Sequence, residues 1–241
     1  MKTFALISPF LAFLVSTSSA FGFLIPRSLP NGRYRASYAA NGTQIIEPLT
    51  AEVMIRDMNE VLAAGLVNKV KYVESVGGSL AARKRSDEKK RRLHCVCHQN
   101  MDHTDCDHAT QEMRDLINEQ PSREAYVPIG KGYFQTFDSV ITHICTPPRN
   151  EGVTPVNVGT FDFALSFITE RCGTYTPGAY IHGVTTGFKG HGMKGAAAYI
   201  GYNNEEVWDE RHICQHMEDP KADHYIGWNR MVPTAGTWLR C

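Results

Sequence analysis

The sequence predicts an α+β domain, stapled by disulfides, with two helices packed on a mainly antiparallel sheet and preceded by a removable pro-segment. Three observations carry that expectation. All seven cysteines lie after Arg92. Beyond Thr104 the patterns run helix, strand, helix and then a group of strands, an order that segregates helices to one face of an antiparallel sheet. Residues 1–92 read as a leader and a processed segment instead of a continuation of that domain.

With 241 residues, 42% of them hydrophobic and 21% charged, the chain can bury a full core, and disordered, collagen-like and coiled-coil classes are excluded. Lys2, the apolar run Phe4 to Val15 and the small residues Ser18 and Ala20 form a secretory signal over residues 1–20. The run is too short to span a bilayer, so a secreted, extracellular product with no membrane span is expected.

Residues 21–92 form the expected pro-segment. Leu29-Pro30-Asn31-Gly32 is a turn signal, Arg33 to Tyr38 reads as a strand, and Thr50 caps a helix from about Ala51 to Leu66 with Val53, Met54, Met58, Val61 and Leu62 as its apolar face. Asn41-Gly42-Thr43 is a glycosylation sequon, making Asn41 the candidate acceptor. Dibasic pairs at Lys84-Arg85 and Arg91-Arg92 suit a kexin-type protease, with cutting expected near Arg92 and Lys84-Arg85 as an additional or first site.

The net charge of zero hides a division at this point. Residues 93–241 hold 11 Lys+Arg and 18 Asp+Glu, a formal −7, and residues 1–92 carry the matching +7. A basic pro-segment lying on an acidic product is the docking that such complementary fields favour.

Within residues 93–241 a first helix begins near Thr104, with Ala109, Met113, Leu116 and Ile117 at helical spacing, and stops before Pro121. Tyr133 to Cys145 reads as one strand. Thr160 caps a second helix with Phe161, Ala164, Leu165, Ile168 and Cys172 inward and Gly173 as its C-cap. Further strands are expected at Ala179–Thr185, Ala196–Tyr202 and Thr237–Cys241, and Asn204–Met217 reads as a third helix or a twisted strand.

Cys95, Cys97, Cys106, Cys145, Cys172, Cys214 and Cys241 in an oxidising compartment imply three bridges and one odd thiol. Cys95 and Cys97 share a strand face and should reach different partners. The odd cysteine has three readings: a buried inert thiol, a bridge to a second copy in a disulfide-linked homodimer, or a nucleophile.

Several constellations could carry chemistry. His94, His98, His103 and His108 lie among cysteines and carboxylates at spacings that suit zinc or copper, although oxidised cysteines would be lost as ligands. All ten histidines fall after Arg92, so protonating them near pH 5 would carry the domain from −7 to +3. The glycine-rich stretch Thr186–Gly195, bearing Lys189, His191 and Lys194, lacks the nucleotide-loop pattern and reads as a hairpin loop offering a contact surface. Trp208, Trp228 and Trp238 with Tyr199 and Tyr202 could stack on sugars. No catalytic motif stands out, and no cofactor and no nucleic acid partner are expected.

The layout resembles the kexin-processed, small, cysteine-rich secreted effectors of plant-associated fungi. The resemblance rests on the signal peptide, the Leu29-Pro30-Asn31-Gly32-Arg33-Tyr34 opening, the dibasic site, and Asp105-Cys106-Asp107-His108-Ala109 at a helix start. It rests also on Ser139 to Cys145 and on Arg171-Cys172-Gly173 before Tyr175 to Tyr180. The helix, strand, helix order is similar to the α/β sandwich of smut-fungus killer toxins. The resemblance implies a virulence or avirulence protein, or a toxin, that binds a host or competitor protein or glycan. The alternatives are a cell-wall carbohydrate-binding protein, depending on the three tryptophans, and a secreted hydrolase using His182, His191 or His212.

Overall fold

A computed structural model describes residues 22–26, 28–67, 92–95, 99–148, 150–188, 193–204 and 212–214. In chain order the elements are β1 (Phe23–Leu24), β2 (Gly32–Tyr38), β3 (Gln44–Pro48), α1 (Ala51–Ala63), β4 (Arg92–Cys95) and α2 (His103–Asn118). Then follow β5 (Glu124–Ala125), β6 (Gly132–Phe137), β7 (Val140–Cys145), β8 (Val156–Asn157), α3 (Val158–Cys172), β9 (Gly178–Phe188), β10 (Met193–Asn204) and β11 (His212–Ile213). The fold class is α+β, as the sequence predicts, with three helices among the described residues and a mainly antiparallel sheet.

Seven strands pair in the order β3-β2-β6-β7-β10-β9-β4, every neighbouring pair antiparallel. Alternation along each strand sends successive side chains to opposite faces. One face carries Tyr133, Val140, Ile144, Tyr180, Ala198, Ile200 and Tyr202, and packs with the apolar sides of α2 and α3. The other carries Tyr34, Ala36, Phe134, Ile141, Cys145, Ile181 and Tyr199, and is closed by Phe23 and Ile25 with Ile213 and Cys214. Those closing residues come from the small β1–β11 pair, in which Phe23 lies opposite Ile213.

The strand expected from Tyr133 to Cys145 is two strands joined by Asp138 and Ser139, and the local chemistry explains the break. Asp138 takes a left-handed backbone, φ 44°, which aspartate tolerates better than most residues. Its amide donates to Asn31 Oδ1 at 2.7 Å, while Ser139 N and Oγ both donate to the Asp105 carboxylate at 3.1 and 2.7 Å. Without glycine, the turn left no ordinary hairpin signal.

The helix caps differ from expectation in a consistent way. Thr50 caps α1, accepting from Val53 N. For α2 the cap is Asp102, two residues ahead of Thr104, and for α3 it is Asn157, three ahead of Thr160. In both cases an Asp or Asn carboxyl or amide oxygen reaches the N3 amide, and the expected threonine is absorbed into the first turn. Gly173 ends α3 with φ 115°, as expected. Strands β3, β4 and β1 were not anticipated, and the expected strand at Thr237–Cys241 lies outside the described residues.

Two disulfide pairs are formed among the described residues. Cys95 joins Cys172 with Cα atoms 5.4 Å apart, tying β4 to the end of α3. Cys145 joins Cys214 at 6.0 Å, tying β11 to the end of β7. Both separations lie in the ordinary range. Cys106 is a buried free thiol whose pKa is pushed up to about 12, mainly by burial, so it is neither ionised nor nucleophilic near neutral pH. Cys97 and Cys241 lie outside the described residues and are the two cysteines left for the third expected bridge.

Non-reducing peptide mapping is expected to recover the Cys95–Cys172 and Cys145–Cys214 linkages. Cys106 should react with iodoacetamide only after denaturation; rapid labelling of native protein at Cys106 would contradict its burial.

Candidate functional site

The most heavily built polar site joins the N-terminal segment to the cysteine-rich half. It begins with a sequence conflict: Asp57 stands among apolar positions on the inner face of α1, between the buried Met54 and Val61, and has no exposed surface. A buried carboxylate must be paired. Arg35, whose position in β2 directs it to the helix-bearing face, places Nε 2.8 Å from Asp57 Oδ2 and donates from Nη2 to Oδ1 at 3.0 Å. Tyr133 of β6 donates its hydroxyl to Asp57 Oδ2 at 2.9 Å, and Lys131 Nζ is 3.5 Å from Oδ1 and 2.8 Å from Glu60. Arg35 also pairs with Glu47 across β3, and Glu47 accepts from Arg56 at 3.1 Å.

Register sets this cluster in one row across the sheet. Glu47, Arg35, Tyr133, Ile144, Ile200, Tyr180 and Leu93 are successive cross-strand neighbours on β3, β2, β6, β7, β10, β9 and β4. The row is charged at the N-terminal edge and apolar from Ile144 onward. Tyr133 is the junction: burial, with the Asp57 charge beside it, raises its pKa well above the ordinary phenol value, so it remains a donor.

Further ties cross between the same two parts. Arg33 reaches Glu112 on α2 at 2.9 Å and Glu119, the α2 C-cap, at 2.6 Å. Asn31 and Asp138 exchange hydrogen bonds of 2.8 and 2.7 Å, and Thr136 Oγ1 donates to Pro30 O at 2.9 Å. The Arg33 pairs have the polarity that charge counting anticipated, basic segment on acidic domain. The buried cluster runs the other way, with the acids Asp57 and Glu60 on the segment and Lys131 on the domain. Apolar burial accompanies both: Phe23, Ile25, Tyr34, Ala36, Leu49, Met54 and Val61 are each at most 9% exposed. Full burial of each larger side chain of this kind contributes roughly 1.5–3 kcal/mol.

The other candidates are dispersed. His103 stacks on Tyr175 with ring centroids 3.8 Å apart, and His108 on Phe137 at 4.6 Å. Five residues apart on α2, they are rotated by about 140° and do not converge. The His94 side chain and His98 lie outside the described residues, among which no group of three or more His, Cys, Asp or Glu could hold a metal ion. Tyr199 and Tyr202 are both buried and on opposite faces of β10, so they form no common sugar platform. Trp208, Trp228 and Trp238 lie outside the described residues, as do His191, Lys189 and the His212 side chain. His182 sits half-buried on β9, opposite Ala198. Asn41 is exposed at the β2–β3 turn, accepting from Thr43 N at 3.0 Å.

Of the processing residues, Lys84, Arg85 and Arg91 lie outside the described residues, while Arg92 belongs to β4, paired opposite Ile181. A protease cutting after Arg92 must therefore unpair an edge strand that Cys95 anchors.

Sequence reasoning missed His143. It is 2% exposed on β7, and burial lowers its pKa to about 4. At pH 5 it stays neutral and takes no part in the expected charge reversal.

Comparison of the chain with protein-family models, with curated proteins and with solved structures returns no match. Fold and site together define an α+β, disulfide-bridged protein whose N-terminal segment is built into its sheet.

Asp57→Ala is expected to cost about 3–5 kcal/mol of unfolding free energy in urea, because it removes the buried partner of Arg35 Nε and Nη2 and of the Tyr133 hydroxyl, and Tyr133→Phe about 1–3 kcal/mol. Values within 0.5 kcal/mol of wild type would remove the buried cluster from the stability of the fold. Unfolded chains protonate His143 near 6.5 and the folded protein only near 4, so stability is full above pH 6.5 and falls by about 3 kcal/mol on the way to pH 4. The pH slope of urea midpoints in His143→Gln should be flatter across that window; an unchanged slope would mean the imidazole is not held neutral.

Proposed function

We propose that the chain is a secreted effector or toxin, matured by a kexin-type protease, that acts by binding a host or competitor protein or glycan. The leader and the dibasic run in the sequence support export and maturation, and the two cysteine pairs are compatible with an oxidising compartment. No helix among the described residues is long and apolar enough to cross a membrane.

The observation that carries a binding role is the reach of the β9–β10 ribbon. Among the described residues, β7 pairs with β10 from Tyr199 to Asn204, and β4 pairs with β9 as far as Ile181. Residues 182–188 and 193–198 therefore continue as a two-stranded ribbon past the seven-stranded part of the sheet, with Met193 opposite Phe188 at the far end. Seven residues of strand reach about 23 Å. The described ribbon ends at Phe188 and Met193, next in sequence to Lys189, His191 and Lys194, the cationic residues singled out in the sequence. A rigid sheet presenting a projecting loop is a common arrangement for recognition.

The test is saturable binding of fluorescently labelled protein to intact plant cells, to yeast cells and to isolated wall polysaccharide. Lys189→Glu combined with Lys194→Glu is expected to weaken the binding by about tenfold or more, with the thermal unfolding midpoint unchanged. Binding indifferent to the charge reversal would rule out the ribbon as the contact, and absence of saturable binding to any of the three would rule out the function.

A further inference from the structure

We propose that residues 22–67 stay with the cysteine-rich domain after the chain is cut between Val67 and Arg92, so that the processed product is a noncovalent two-chain protein. Departure of the whole pro-segment is the simpler expectation from sequence. The location of its residues in the fold argues for retention.

The segment occupies no peripheral site. β2 is an inner strand, paired on one side with β3 and on the other with β6, where five residue pairs from Gly32–Thr136 to Ala36–Gly132 are in register. Removing it would turn β6 into an edge displaying Tyr133 and Phe134, a long unprotected edge of the kind soluble proteins avoid. It would also strip Phe23, Ile25, Tyr34 and Ala36 from the core they share with Phe134, Ile141, Cys145, Tyr199 and Ile213. Leu49 and Met54 would leave the core on the opposite face.

The polar contacts point the same way. Asp57 and Glu60 on the segment hold Lys131, and Asp57 accepts from Tyr133, whereas Arg33 is held by Glu112 on α2 and by Glu119 at its C-cap. Separation would leave partners unpaired on both sides. Val153 N donates to Leu66 O at 2.8 Å, and Val67 bridges Val153, so the contacts continue to the last described residue of the segment. Residues 21–82 contain no cysteine, so no disulfide can provide the tie. The lower-numbered dibasic pair, Lys84-Arg85, can be cut with β4 left paired, whereas a cut after Arg92 falls within β4.

The experiment does not depend on secretion or on a host protease. A seven-residue recognition site for a sequence-specific protease replaces residues 83–89 of the full chain, and cutting is followed to completion by denaturing mass spectrometry. Native mass spectrometry and size-exclusion chromatography with light scattering at pH 7 are expected to find one particle containing both chains in equal number, resolved into two only in guanidinium. Asp57→Asn in the cut protein should raise the dissociation constant by about tenfold or more. Separation of the chains at micromolar concentration, whether the cysteine-rich chain then remains soluble or precipitates, overturns the proposal. An unchanged dissociation constant in the variant overturns the part given to the buried carboxylate. Neither result bears on cell binding, so this proposal and the functional one can fail independently.

Discussion

A carboxylate without exposed surface is tolerable only where its charge is met, and Asp57 draws the surrounding structure together through that requirement. Its partners come from β2, from β6 and from the loop before β6, so the site that receives α1 is complete only where β2 is paired with β6. The row from Glu47 to Leu93 carries the same constraint across the sheet: charge at one edge is compensated locally, and beyond Tyr133 the row becomes wholly apolar. The helix-bearing core thus packs next to a cluster of six charged side chains.

That constraint changes the meaning of the N-terminal segment. A pro-segment that masks a finished surface would lie on the outside, held by charges at the rim. Arg33 on α2 fits that description, but Asp57, Phe23 and Ile25 do not, since they fill positions the rest of the chain leaves open. The segment thus completes the sheet while the acid-rich face of α2 steers it. Processing between Val67 and Arg92 and integrity of the fold are compatible, because the described contacts of the segment end at Val67, which bridges Val153, and β4 begins at Arg92, so a cut between them breaks no described pairing.

Local chemistry in the sequence revealed most of the longer elements and the inward faces of α2 and α3, whereas on α1 Leu62, expected inward, is 50% exposed and Asp57 is buried. The periodicity of Phe161, Ala164, Leu165 and Ile168, the Gly173 terminus and the Thr50 cap are all realised, because each depends on neighbours within a turn or two. The β6–β7 turn escaped detection because Asp138 is held by Asn31 and Ser139 by Asp105, partners 107 and 34 residues away. β3 and β4 were missed because short edge strands owe their form to a partner and not to their own pattern. The interface was illegible for the same reason: Asp57 looks like an ordinary polar residue on α1 until Arg35, Lys131 and Tyr133 are brought to it. A cysteine-free N-terminal stretch ahead of dibasic sites reads as disposable, since nothing in composition reports its pairing with β6.

The placement of the two bridges follows a division of labour. Among the described residues β4 has four and β11 two, lengths at which strand pairing alone is weak, and each is fastened by a cysteine at or beside its end. The segment from Phe23 to Val67 has two longer strands, a thirteen-residue helix and its own buried side chains. Covalent ties therefore hold the elements too small to hold themselves, and the largest inserted unit is left to burial and ion pairing. A bond of the second kind can respond to pH, salt and dilution, whereas the first responds to reductant. The cysteine pattern fixes the sheet's far edge and its back closure, and the contact between the two halves of the chain is set by solution conditions.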